Sequence, residues 1–143
     1  MAIKQLTVFL QNRKGSIVSV TNVLAQNNIN LRALSIAETE EFGILRLIVN
    51  DANAAEKILG EQHYLIKTVN VVGVKIGDAP GKLTAALDVL DKADINVEYM
   101  YAETFLYEDN MESKSLSEVK KQIESTLISY PNNKLIPAFY IAE

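Results

Sequence analysis

The chain has 143 residues, of which 48% are hydrophobic and 22% charged, with no cysteine, no tryptophan and a single histidine. Without cysteine there is no disulfide framework, no thiol nucleophile and no thiolate-bound zinc or iron–sulfur centre. The balance of 14 basic against 18 acidic residues gives a formal charge of −4, and its even spread leaves no polybasic footprint for nucleic acid or anionic lipid.

The first strand is expected at Leu6–Leu10, a short apolar run ended by the polar loop Asn12-Arg13-Lys14-Gly15-Ser16. A helix follows, because Ile17, Val20, Thr21 and Leu24 recur at i, i+3, i+4 and i+7 and form one apolar stripe. Asn27-Asn28 turns the chain into a strand over Ile29–Glu38, a polar hairpin at Glu38–Phe42 leads to another over Ile44–Val49, and Asp51 is placed to cap a helix that carries Ala55, Ile58 and Leu59 inward. A last strand starts at Leu65. The order is βαββαβ.

No linker follows, since Leu65–Ile76 is apolar almost throughout. A shift of 66 residues lays Leu6–Leu34 over Val72–Met100 without a gap, with identical pairs at Val8/Val74, Gly15/Gly81, Val23/Val89, Leu24/Leu90, Ile29/Ile95 and Asn30/Asn96. The second half therefore opens like the first: strand Val72–Ile76, loop Asp78-Ala79-Pro80-Gly81-Lys82, a helix with Leu83, Ala86, Leu87 and Leu90 inward, and a strand over Ile95–Ala102. After it only Thr104–Tyr107 precedes the acidic Glu108-Asp109, so its hairpin is short. Ser115 and Glu118 form a capping box for a helix with the stripe Leu116, Val119, Ile123 and Leu127. Lys134–Ile141 is the final strand, and Pro137 within it predicts an edge position. The fold class is α+β: two βαββαβ units with antiparallel sheets, over residues 1–71 and 72–143, pairing side by side.

Catalytic constellations are not apparent. His63 lies in a polar loop without a nucleophilic or acidic partner at a recognisable spacing, and Glu38, Glu40 and Glu41 fall on a hairpin tip where solvated carboxylates are the ordinary outcome. Tyr99 and Tyr101 share one face of a strand but lack the basic neighbours of an RNA-binding sheet. We expect no catalytic residue, no metal and no cofactor. The two Gly loops differ from the rest, because each puts glycine at a helix start, where unpaired N–H groups and a partial positive charge suit a carboxylate or phosphate.

Asn12-Arg13-Lys14-Gly15-Ser16-Ile17, followed by Asn28-Ile29-Asn30-Leu31, resembles the Asn-Arg-Pro-Gly-x-Leu loop and Gly-x-Asn-Ile strand start of ACT domains. Asp78-Ala79-Pro80-Gly81-Lys82-Leu83 and Asp94-Ile95-Asn96-Val97 look like a second copy, and Ala33–Ala37, Phe42–Arg46 and Glu98–Tyr101 are similar to small stand-alone proteins made of two such domains. The resemblance covers about Ile3 to Ala102. It implies ferredoxin-like units that bind a free amino acid or similar small carboxylate where two units pair, in an allosteric, non-catalytic regulator. The ligand residues it implies are Asn12, Arg13, Lys14, Gly15 and Ser16 with Asn96, and Asp78, Pro80 and Gly81 with Asn30. Lys14 stands where the family has proline and adds a cation, whereas Asp78 would repel a carboxylate, so the Gly15 site should be the tighter one. In a ferredoxin-like sheet the third strand is central, so either Thr104–Glu108 supplies it in the second unit or the C-terminal strand is exchanged with another chain.

With no apolar run near the roughly 20 residues that cross a bilayer and no apolar signal region after Met1, the expected setting is cytoplasmic, without a membrane or nucleic-acid partner. A homodimer is expected, with a regulated enzyme as a further partner. The rival readings are an assembly module without a ligand and a small enzyme using carboxylates such as Glu38 or Glu98.

Overall fold

The computed structural model describes residues 2–76, 79–104, 121 and 135–142. It divides into two compact units, one of Lys4–Asn70 and one of Val71–Glu143 with Met1–Ile3.

The first unit is built from β1 (Ala2–Gln11), α1 (Ser16–Gln26), β2 (Leu31–Glu38), β3 (Phe42–Val49), α2 (Ala52–Glu61) and the first half of β4 (Leu65–Ile76). Its strands lie in the order β2-β3-β1-β4, with β3 antiparallel to both β1 and β2. Alternation along the strands sends one face of each to the helices: Leu6, Val8 and Leu10 of β1 and Leu45, Leu47 and Val49 of β3 pack with Val20 and Leu24 of α1 and Ala55 and Leu59 of α2. Asp51 caps α2, its Oδ1 accepting the Ala54 N–H at 3.0 Å. The β2–β3 turn closes on Thr39, whose N–H donates to the Phe42 carbonyl at 2.8 Å and whose Oγ1 accepts the Phe42 N–H at 3.1 Å.

Helix ends repeat as the sequence does. α1 stops where Asn28 adopts φ 57°, with the Ile29 N–H on the Leu24 carbonyl and the Asn28 N–H on the Ala25 carbonyl, a Schellman closure. Asp94, the equivalent of Asn28, has φ 56° and closes the second unit's helix in the same way through Ile95 and Leu90. His63, with φ 64°, performs the same turn after α2, so the single histidine serves a helix stop.

The second unit contains the end of β4, α3 (Lys82–Lys92), β5 (Asn96–Thr104) and β6 (Leu135–Ala142). Val72, Val74, Leu90 and Ile95 form its core, with Leu87, Val89 and Val97 against them. Here two expectations are corrected. β6 is no edge: it lies between β4 and β5 and pairs in parallel with both. Pro137 is accommodated because it faces Tyr99, where the β5 register shifts between Val97 and Tyr99, and a ladder irregularity tolerates a residue with no N–H to donate. The central place expected for a hairpin strand, or for a strand exchanged from another chain, is thus held by this chain's own C-terminal strand. The expected strand over Thr104–Tyr107 beyond its first residue, and the helix from Ser115 apart from Lys121, lie outside the described residues.

Candidate functional site

The β1–α1 loop owes its shape to Gly15, which caps α1 at φ 88° and ψ −11°. That is left-handed backbone that a Cβ disfavours by roughly 1–2 kcal/mol. Gly81 repeats it at φ 85° and ψ −10° ahead of α3. In both loops the glycine carbonyl accepts the first regular helical bond, from Ser19 at 3.0 Å and from Ala85 at 2.9 Å. No side chain caps either helix; the Ser16 N–H donates to the Arg13 carbonyl at 3.3 Å and the Lys82 N–H to the Ala79 carbonyl at 3.2 Å, and the next first-turn N–H groups remain for a ligand.

Asn12 ties this loop to the β2–β3 turn. Its N–H donates to the Glu41 carbonyl at 2.9 Å and its Nδ2 to the Thr39 carbonyl at 3.1 Å. One of its amide donors is therefore structural, and the Oδ1 acceptor is what it can bring to a ligand.

Beneath the loop is a cleft of about 170 Å³, lined by Leu10, Gln11, Asn12, Arg13, Ser16, Ile17, Ile36, Glu38, Gly43 and Leu45. The strand register explains it. Leu10 of β1, Gly43 of β3 and Glu38 of β2 face one another across the sheet, and the next row on the same face is Val8, Leu45 and Ile36. In the middle strand of the first row glycine leaves a hole: a Cβ on Gly43 would meet nothing within 4 Å. α1 covers the face further in, so its first-turn residue Ile17 borders the cleft and is 42% exposed. This corrects the expectation that Ile17 is core alongside Val20 and Leu24.

Of the residues singled out from the sequence, Asn12, Arg13 and Ser16 line the cleft, while Lys14 and Gly15 belong to the same exposed loop. Asn30 sits elsewhere in this unit, just before β2, where its N–H donates to Asn50 Oδ1 at 2.9 Å. That is about 25 Å along the strand from Glu38 at the usual ~3.3 Å rise. Pro80, Gly81 and Asn96 are exposed in the second unit, and Asp78 lies outside the described residues. Sequence reasoning missed Glu38, Ile36, Gly43 and Leu45 as cleft residues. The signal was the short hairpin, which fixes Glu38 opposite Gly43. Among the described residues no group of three or more His, Asp or Glu side chains could hold a metal ion, and no helix is long and apolar enough to cross a membrane.

A sequence model of the ACT domain pair matches residues 1–111. The crystal structure of protein BT0572 from Bacteroides thetaiotaomicron is 36% identical, covering 88% of this chain and 89% of that one with a TM-score of 0.71. The ACT domain of prephenate dehydrogenase from Bacillus anthracis is 28% identical over 44% of this chain and 99% of that domain, with a TM-score of 0.41. No curated protein sequence matches the chain. Matched over most of its length both by the family's sequence pattern and by a solved fold, the chain belongs to the family of ACT domain pairs.

Proposed function

We propose that this ACT pair is a non-catalytic regulatory protein of the cytoplasm that binds a free amino acid, or a similar small carboxylate, at the cleft beside the Gly15 loop. One observation carries the reading: Arg13 and Glu38, of opposite charge, line the same small cleft as the start of α1. A zwitterion asks for that pair. Its carboxylate is met by the Arg13 guanidinium and by first-turn N–H groups, which favour an anion by about 0.3–2 kcal/mol. Its ammonium is met by Glu38 and by Asn12 Oδ1.

Lys14 adds a positive charge to the same loop, while Asp78 in the repeated loop opposes a carboxylate, so the Gly15 site is the tighter of two. In this reading Asn96 completes the Gly15 site and Asn30 the Gly81 site, each supplied across a dimer. Ligand binding then biases the pairing of units, and a regulated enzyme reads the change.

Calorimetry of the wild-type chain against the common amino acids tests the proposal, with Arg13→Ala and Glu38→Gln as the informative variants. At least one amino acid should give heat that each variant weakens tenfold or more. Asn96→Ala should weaken binding more than Asn30→Ala. No heat from any amino acid favours the second reading, an assembly module. That reading has its own support, since β2 ends the strand order and exposes Leu34 at 46% and Ile36 at 45%.

A further inference from the structure

We infer that the ligand of the Gly15 cleft is an amino acid with a branched aliphatic side chain, and that Gly43 sets the size of side chain admitted. This rests on the amino-acid reading above and adds the ligand's class. The cleft is divided by polarity. Gln11, Asn12, Arg13 and Glu38 are exposed and Ser16 half-buried at its rim, whereas Leu10 and Leu45 are buried beneath it and Ile17 and Ile36 flank it. A zwitterionic head group loses too much hydration to enter an aliphatic space, so it stays at the rim with Arg13 and Glu38. Only the ligand's side chain is left to go inward.

Away from the polar residues of the rim, what it meets is aliphatic, from Leu10, Ile17, Ile36 and Leu45, and empty over Gly43, where a Cβ would find nothing within 4 Å. The aliphatic side chains of Leu10, Ile17, Ile36 and Leu45 offer no charge or amide to a polar side chain. The hole over Gly43 lies next to Glu38 in the same cross-strand row. An ammonium held by Glu38 therefore places the α-carbon beside that hole and sends the side chain over it. The volume agrees in scale: an apolar cavity of roughly 150 Å³ accepts a six-carbon hydrocarbon, and this cleft measures about 170 Å³ with its rim included. Glycine is not required at position 43 by backbone, since only Gly15 and Gly81 among the described glycines have positive φ. Its lack of a side chain serves the cavity.

The experiment is a calorimetric panel of valine, leucine, isoleucine, alanine, serine, aspartate and lysine against the wild-type chain and Gly43→Val, with a thermal melt showing that the variant folds. Leucine, isoleucine or valine should bind at least tenfold tighter than serine, aspartate or lysine. Gly43→Val should weaken that ligand tenfold or more and change alanine by less than threefold, because added methyl groups compete with a long side chain and not with a short one. Tighter binding of serine, aspartate or lysine overturns the inference and leaves the amino-acid reading standing. So does a Gly43→Val variant that weakens every amino acid equally or none. Failure of all seven to bind overturns the inference as well, and only failure of every common amino acid removes the amino-acid reading itself.

Discussion

The Asn12 side chain donates from Nδ2 to the Thr39 carbonyl at 3.1 Å, across 27 residues of sequence, and so fastens the loop that starts α1 to the turn that joins β2 and β3. Together with the Asn12 N–H on the Glu41 carbonyl, this contact holds the two walls of the cleft to each other. Replacing Asn12 with alanine should cost about 0.5–1.5 kcal/mol, the usual net value of one hydrogen bond, and should also weaken ligand binding. Urea melts give the first quantity and calorimetry the second. An unchanged midpoint together with unchanged affinity would show the contact to be incidental.

Gly15 and Gly81 have nearly the same left-handed conformation, and neither would bring a Cβ against any neighbour. Alanine at either position should therefore cost backbone energy alone, about 1–2 kcal/mol in each case. Gly60, inside α2 and with free space around it, supplies the opposite sign. There alanine should stabilise by about 0.5–1 kcal/mol. Chemical denaturation of the three variants checks the contrast.

Leu24 is 2% exposed in the first unit's core while Ile17, two turns earlier on the same stripe, is 42% exposed at the cleft. Leu24→Ala should cost about 2–5 kcal/mol through lost contacts and a residual cavity. Ile17→Ala should fall near the ±0.5 kcal/mol typical of surface changes and register instead in ligand affinity. Equal losses of stability would place Ile17 in the core after all.

The position of β6 between β4 and β5 is testable by truncation. A chain ending before Leu135 loses β6, one of the two strands beside β4, so those amide protons of Val72–Ile76 that point to β6 should exchange faster. Those of Leu6, Val8 and Leu45, which belong to the other unit's core, should keep their protection. Protection unchanged throughout Val72–Ile76 would contradict the placement.

The first unit was legible in the sequence because its signals are local. Period-two strands, the Val20/Leu24 stripe, the Asp51 cap and the Gly15 helix start all follow from neighbours in the chain. Two features rest on pairing across the sheet and not on neighbours in the chain. Pro137 was taken to force an edge, yet the bulge that accommodates it lies on β5, some forty residues earlier. Glu38 is exposed at the hairpin as expected, and the cross-strand row Leu10–Gly43–Glu38 adds that it borders the cleft. The helical period correctly put Ile17 on the apolar face of α1. It could not show that the sheet beneath that first turn carries a glycine, which leaves Ile17 over open space.

The central claim is that the cleft beside the Gly15 loop binds a free amino acid, and chemical-shift mapping of the isotopically labelled chain tests it most directly. Titration with the common amino acids should give, for at least one of them, saturable shifts at the amides of Arg13, Gly15, Ser16, Glu38 and Gly43. A saturable response confined to other amides, with Arg13, Ser16 and Gly43 unmoved, or no saturable response to any amino acid, would contradict the account.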